Sequence, residues 1–184
     1  QPFIGMLTKT VVSLVVDHSG ESFRLSAKLS GIPRIGPMVS QFVAMQQQEH
    51  ARESRLRRAM SEERWDDALA GVEAAMAGGG NVPKLLRTKF HILAIGMKDR
   101  EAAGSCVDAI IETSKTDARA LNNFAWALLT ESRYNGQFGD FALRVSERSN
   151  QITEHGNWMF VDTLALAKFE TGDVETAVAL QKKA

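Results

Sequence analysis

Cys106, the histidines at 18, 50, 91 and 155, and the glycine run at 78–80 are the places where this chain could carry thiol, metal or phosphate chemistry. Cys106 is the single cysteine, which excludes an internal disulfide and a Cys-x-x-Cys redox pair. It lies in GSCVDAII on the helical side that also carries Ala103 and Ile110, and so reads as a small buried hydrophobe. A reactive thiol needs a neighbouring cation to lower its pKa, and the local sequence offers Asp108 instead. The histidines are scattered over a turn, two helical stretches and a loop, with no H-E-x-x-H and no Cys/His cluster at ligand spacing. The glycine run follows a helical segment and lacks the lysine of a phosphate-binding loop, so it reads as a helix stop. No residue triad supports catalysis. No catalytic residue, cofactor or metal site is expected in this chain.

What could position a binding surface instead is a repeat. A small residue on an apolar helical face recurs as Ala68, Ala103, Ala142 and Ala177, at steps of 35, 39 and 35 residues. A period in that range marks stacked helix pairs, in which no unit buries its apolar face alone. The second helix of each pair is expected at 63–76, 99–111, 137–150 and 172–184, each opening on acidic or turn residues. The first helices fall at roughly 38–61, 83–97, 117–131 and 158–170 from their apolar spacing. Pro83 suits an opening helical turn, and Gly172 with Asp173 turns the chain into its last helix. Small residues at these positions let helices approach closely enough for ridges to enter grooves.

The segment DTLALAKFETGDVETAVALQKKA, with Ala165, Gly172 and Ala177 in small-residue positions and Phe169 as a packing aromatic, resembles the tetratricopeptide repeat family. So does ALNNFAWALL followed by QFGDFALRVSERSN, with Ala125, Ala142 and Ser149. The resemblance covers about residues 40–184. The departures are the absent proline near the end of each repeat, Leu56 and His91 where a small residue belongs, and a third loop, SRYNGQF, about four residues too long. The resemblance implies a mainly α fold: an α-α superhelix of about four such helix pairs over 38–184, preceded by a short β-hairpin segment and linker over 1–37.

That preceding segment follows a different pattern. TVVSLVV at 10–16 is rich in β-branched residues and ends at DHSG, after which ESFRLSAKL alternates polar and apolar positions, as a hairpin does. SGIPRIGPM at 30–38 carries two glycines and two prolines and breaks regular structure. VVDHSG, with Val15, Val16, Asp17 and Gly20, and the linker at Gly36–Met38 are similar to the strand, turn and linker that join thioredoxin-like domains to such repeats in some bacterial proteins. Gly31, Ile32 and Pro33 follow the strand, where in thioredoxins that type of segment precedes it.

Lys plus Arg equals Asp plus Glu at 22 each, so no general field favours nucleic acid or an anionic membrane, and the longest uncharged apolar run is far short of a membrane span. The dense charge of 46–65, with Glu53 and Arg57 four apart and Glu49 and Arg52 three apart, reads as a solvated helical face, with a docking surface for an acidic partner as the alternative. No signal peptide is visible, which favours the cytoplasm, or the periplasm if the thioredoxin-like resemblance holds for a segment upstream of Gln1. By the repeat resemblance the first helices line a concave groove that meets an extended or helical peptide. Asn122, Asn123 and Trp126 in the third copy and Asp162 in the fourth are the expected partner-binding residues. Asn122 and Asp162 occupy matching positions, while Trp126 suits core packing equally well. The expected function is a non-enzymatic protein-interaction scaffold; the alternative is the accessory C-terminal part of a thioredoxin-like redox protein. Val174, Val178 and Leu180 in the last helix call for a cover, either a homodimer through that helix or further chain.

Overall fold

Apolar side chains at helical spacing dominate the chain from residue 35 onward, and the computed structural model is accordingly mainly helical; it describes residues 11–19, 22–29, 35–134 and 136–183. Two strands, β1 (Val11–Ser19) and β2 (Ser22–Leu29), are followed by α1 (Ile35–Ser61), α2 (Trp65–Ala77), α3 (Val82–His91), a π-helical turn (Ile92–Gly96), α4 (Arg100–Thr113), α5 (Ala118–Thr130), α6 (Gly139–Ile152), α7 (Trp158–Glu170) and α8 (Val174–Gln181). The chain divides into two compact units, Gln1–Arg55 and Leu56–Ala184. The division falls inside α1 rather than at the glycine- and proline-rich stretch.

In the first unit β1 and β2 pair antiparallel, from Val11↔Leu29 to Ser19↔Ser22, with a register shift between Val11 and Ser13. Asp17 and His18 belong to this ladder, opposite Arg24 and Phe23, so β1 runs further than its β-branched residues alone suggest. Gly20, Gly31, Ile32 and Pro33 lie outside the described residues. Gly36, Pro37 and Met38 are helical, so α1 starts three residues earlier than the expected 38. Pro37 is tolerated there because the amides of a first helical turn have no partner to lose.

The second unit is held by close helix approach. Ala68, Ala103 and Ala142 are fully buried and Ala177 is 5% exposed, as their recurrence requires; Ala125 and Ala165 are buried as well. Short polar side chains start the helices: Asn81 accepts from the Lys84 amide at the start of α3, Asp99 from Ala102 at α4, Asp117 from Ala120 at α5, Asn157 from Met159 at α7 and Asp173 from Thr176 at α8. Each such cap is worth about 0.5–2 kcal/mol. The glycine run ends α2, with Gly78 as the cap and Gly79 at φ 81°. A left-handed conformation costs glycine nothing sterically.

Two apolar clusters result. The smaller joins Ala59, Ala68, Val72 and Ile92, with Leu56 and Trp65 against it. The larger runs from Leu86 and Phe90 of α3 through Cys106, Leu121, Phe124 and Val145 to Ala167 of α7. The segment from α3 through the π-helical turn serves both, since Ile92 of the turn enters the first cluster while Phe90 of α3 and Leu93 of the turn enter the second. Just beyond α3 the Met97 amide reaches back five residues to the Ile92 carbonyl at 2.8 Å, the bond of a π-helical turn. The long loop between α5 and α6 is part of the core: Tyr134 and Phe138 are each 3% exposed, with ring centroids 5.9 and 5.6 Å from Phe90. Arg100 lies over the rings of Phe138 and Phe141 and donates to the Gln137 carbonyl and the Asp140 carboxylate. Its charge thus stays at the rim while its planar head covers aromatic faces.

Candidate functional site

Two concavities open beside α5 within the second unit. The first is a groove of about 450 Å³ between α5, α7 and α8, lined by Trp126, Asp162, Leu166, Phe169, Val178 and Gln181 among others. Apolar spacing along α7 places Asp162, Leu166 and Phe169 on one stripe, and Ala165 and Ala177 supply the close approach that lets α8 lie beside it. Trp126 is 44% exposed and Phe169 56% exposed. Phe169 is therefore a surface aromatic rather than the packing aromatic expected from the repeat pattern. The Gln181 amide donates to Asp162 at 2.5 Å, tying α8 to the groove wall.

The second concavity is a cleft of about 520 Å³ between α3 and α5, lined also by the loop after α5. Lys84, Arg87 and His91 stand at i, i+3 and i+7 on α3, Asn123 and Phe124 face from α5, and Glu131, Arg133 and Tyr134 come from the loop. Arg87 donates to the Ala120 carbonyl at 2.8 Å, with its guanidinium 5.9 Å from the Phe124 ring centre. Arg133 pairs with Glu131 and stacks over Tyr134.

The four expected partner-binding residues are thus not gathered at one point. Trp126 and Asp162 line the groove and Asn123 lines the cleft, with Asn123 and Trp126 one turn apart on α5. Asn122 is 8% exposed, and its buried Oδ1 has no hydrogen-bond partner. A matching repeat position did not give Asn122 and Asp162 the same environment: Asn122 is buried, while Asp162 is half-buried at the groove and accepts from Gln181. The cleft residues Lys84, Arg87 and Arg133 were not foreseen. The spacing of Lys84, Arg87 and His91 along α3 was a readable signal; the arrival of Arg133 from the loop was not.

Cys106 is buried, with Sγ 3.3 Å from the Leu86 carbonyl, and burial pushes its thiol up to about 11. That is the packing role expected for it. Among the described residues no group of three His, Cys, Asp or Glu side chains could hold a metal ion, and no described helix is long and apolar enough to cross a membrane. Compared with models of known protein families and with curated proteins, the chain gives no match.

His91 sits partly buried in the cleft wall, with Nδ1 unpartnered and enclosed. Burial first, and the Arg133 charge second, hold its pKa below the ordinary 6.5, against a smaller opposing pull from Glu131. The neutral imidazole is therefore favoured by folding. As the pH falls through 6.5 the unfolded chain takes up this proton before the folded one, so the contribution of His91 is present above that pH and is lost on acidification. Between pH 7 and 5 the thermal midpoint is expected to fall more steeply for the native chain than for His91→Gln, measured by circular dichroism melts; parallel curves would contradict it. His18, His50 and His155 are common to both proteins and cancel.

Proposed function

We propose that residues 56–184 form a non-enzymatic scaffold of tetratricopeptide type whose groove between α5, α7 and α8 binds a peptide segment of a partner protein. The observation that carries this reading is the pairing, in one groove, of half-exposed Trp126 and Phe169 with the Asp162–Gln181 hydrogen bond. Exposed aromatic rings offer large contact area at low conformational cost, and the adjacent carboxylate and amide supply hydrogen bonds that orient a main chain. Nested second-helix alanines give the rigid stack that such a surface needs.

A peptide library displayed on phage and selected on the purified 184-residue chain tests this. Selected peptides are expected to lose about tenfold or more in affinity when Trp126 or Phe169 is replaced by Ala, with circular dichroism showing that each variant is folded at the assay temperature, since each ring is about half buried. Val174 and Val178 are also half exposed and would equally accept α8 of a second copy. Light scattering on the same sample separates the two, since a dimer that excludes peptide overturns the peptide reading.

A further inference from the structure

We infer that the turn at residues 131–134 is an acid-released latch on the cleft: when His91 takes up a proton, its imidazole leaves its seat for the Glu131 carboxylate, Arg133 is set free, and Tyr134 turns out of the core. This goes beyond the scaffold reading and does not depend on it.

The parts of the latch stand on one tight turn against one imidazole. The Tyr134 amide donates to the Glu131 carbonyl at 2.9 Å, closing the turn that carries Glu131, Arg133 and Tyr134 past the end of α5. Glu131 pairs with Arg133, and the Arg133 guanidinium lies 5.0 Å from the centre of the Tyr134 ring. The same ring meets His91 edge to face, 6.0 Å between centroids. Tyr134 thus keeps two covers, and a proton on His91 acts on both.

The imidazole has no place for that proton where it sits. Nδ1 is enclosed and has no hydrogen-bond partner among the described residues. An enclosed lone pair without a donor is tolerated better than an enclosed N–H without an acceptor, which assigns the proton of the neutral ring to Nε2. A second proton would make Nδ1 a charged donor facing no acceptor, and that costs more than giving up an aromatic edge contact. The charged or titratable groups that line the cleft with His91 are Lys84 and Arg87 of α3 and Glu131, Arg133 and Tyr134 of the turn. Helix α5 brings Asn123, Phe124 and Ala127, and α1 brings Met60, none of which titrates. From α2, Glu73 is engaged by Lys89. Glu131 is therefore the one carboxylate in the described lining, and the imidazolium reaches it by leaving its seat and displacing Arg133. Burial, and after it the Arg133 charge, hold the His91 pKa below 6.5, so the latch is shut at neutral pH and opens on acidification.

Tyr134 is the single tyrosine of the chain, so tyrosine carrying 13C in its ring gives one set of NMR signals that report on the latch alone. In the full 184-residue chain these signals are expected to move between pH 7 and 5, from shifts set by the surrounding rings to those of a solvent-exposed tyrosine. The midpoint should lie below 6.5, with the far-ultraviolet circular dichroism unchanged. His91→Gln should hold the ring signals at their neutral-pH positions throughout. Arg133→Gln should raise the midpoint by about half a pH unit or more, and Glu131→Gln should lower it. The side chains of Arg133 and Glu131 are 54% and 41% exposed, so these two variants decide the matter where His91→Gln fails to fold. Ring signals that ignore pH in the native chain, that move equally in His91→Gln, or whose midpoint neither charge substitution shifts would each overturn the inference. Exposure of the ring that arrives only together with loss of the helical signal would overturn it as well, because that is global unfolding and not release of a turn.

Discussion

Phe90→Ala is expected to cost about 3–5 kcal/mol, the usual range for removing a buried phenyl ring. Phe90 is fully buried, and its ring meets Phe124 of α5 at 5.3 Å, Tyr134 and Phe138 of the following loop at 5.9 and 5.6 Å, and Phe141 of α6 at 6.1 Å between centroids. Most of these pairs cross edge to face, the arrangement that adds about 0.5–1.5 kcal/mol per pair beyond area burial. On the proposed scaffold reading, in which stability is the sum of units and of nearest-neighbour interfaces, Phe90 belongs to the interface between the α3/α4 pair and the α5/α6 pair. Its loss should therefore do more than lower the midpoint. Thermal or urea melts of Phe90→Ala are expected to broaden or split, with α5–α8 outlasting α1–α4, while Phe90→Leu lowers the midpoint and keeps one transition. A single sharp transition within about 1 kcal/mol of the native one would show that the aromatic cluster does not couple the pairs.

How this cluster forms also shows where the sequence can be read and where it cannot. Helix positions were legible because the apolar period and the Asn and Asp starts are local signals: the expected 158–170 is α7 (Trp158–Glu170), and 117–131 is α5 (Ala118–Thr130) to within a residue at each end. The loop at 132–138 was legible only as an excess of length. Its use, sending Tyr134 and Phe138 into the core, depends on Phe90 more than forty residues earlier, and no local pattern records that. His91 presents the same difficulty. It stands where Ala125 and Ala165 hold the matching position in the later copies, and the structure places it at the edge of the Tyr134 ring, 6.0 Å between centroids, in the lining of the cleft. Departures from the repeat pattern are thus concentrated where the cleft lies. Two of them, the bulky imidazole and the long loop, line it.

Helix packing at the other side of α3 yields a prediction whose sign is informative. An exposed glycine inside a helix is normally improved by alanine, by up to about 1 kcal/mol, and Gly71→Ala in α2 should follow that rule, since the nearest atom to a new Cβ is Leu56 Cδ1 at 3.9 Å. Gly96→Ala is expected to do the reverse. Gly96 closes the π-helical turn, and a Cβ there would lie 2.2 Å from Trp65 Cδ2 and 2.4 Å from Cε3, inside the indole ring system. A fused ring has no flexible end to yield, so either the indole leaves its seat or the turn unwinds, at a cost of about 1–3 kcal/mol. Leaving that seat uncovers the cluster of Ala59, Ala68, Val72 and Ile92 that Trp65 packs against. Urea denaturation of both variants measures the two signs together. In a Trp65→Leu background the penalty of Gly96→Ala should shrink to near zero, because the clash partner is gone while the backbone is unchanged. A penalty that persists there would place the strain in the π-turn itself and not in its contact with Trp65 of α2.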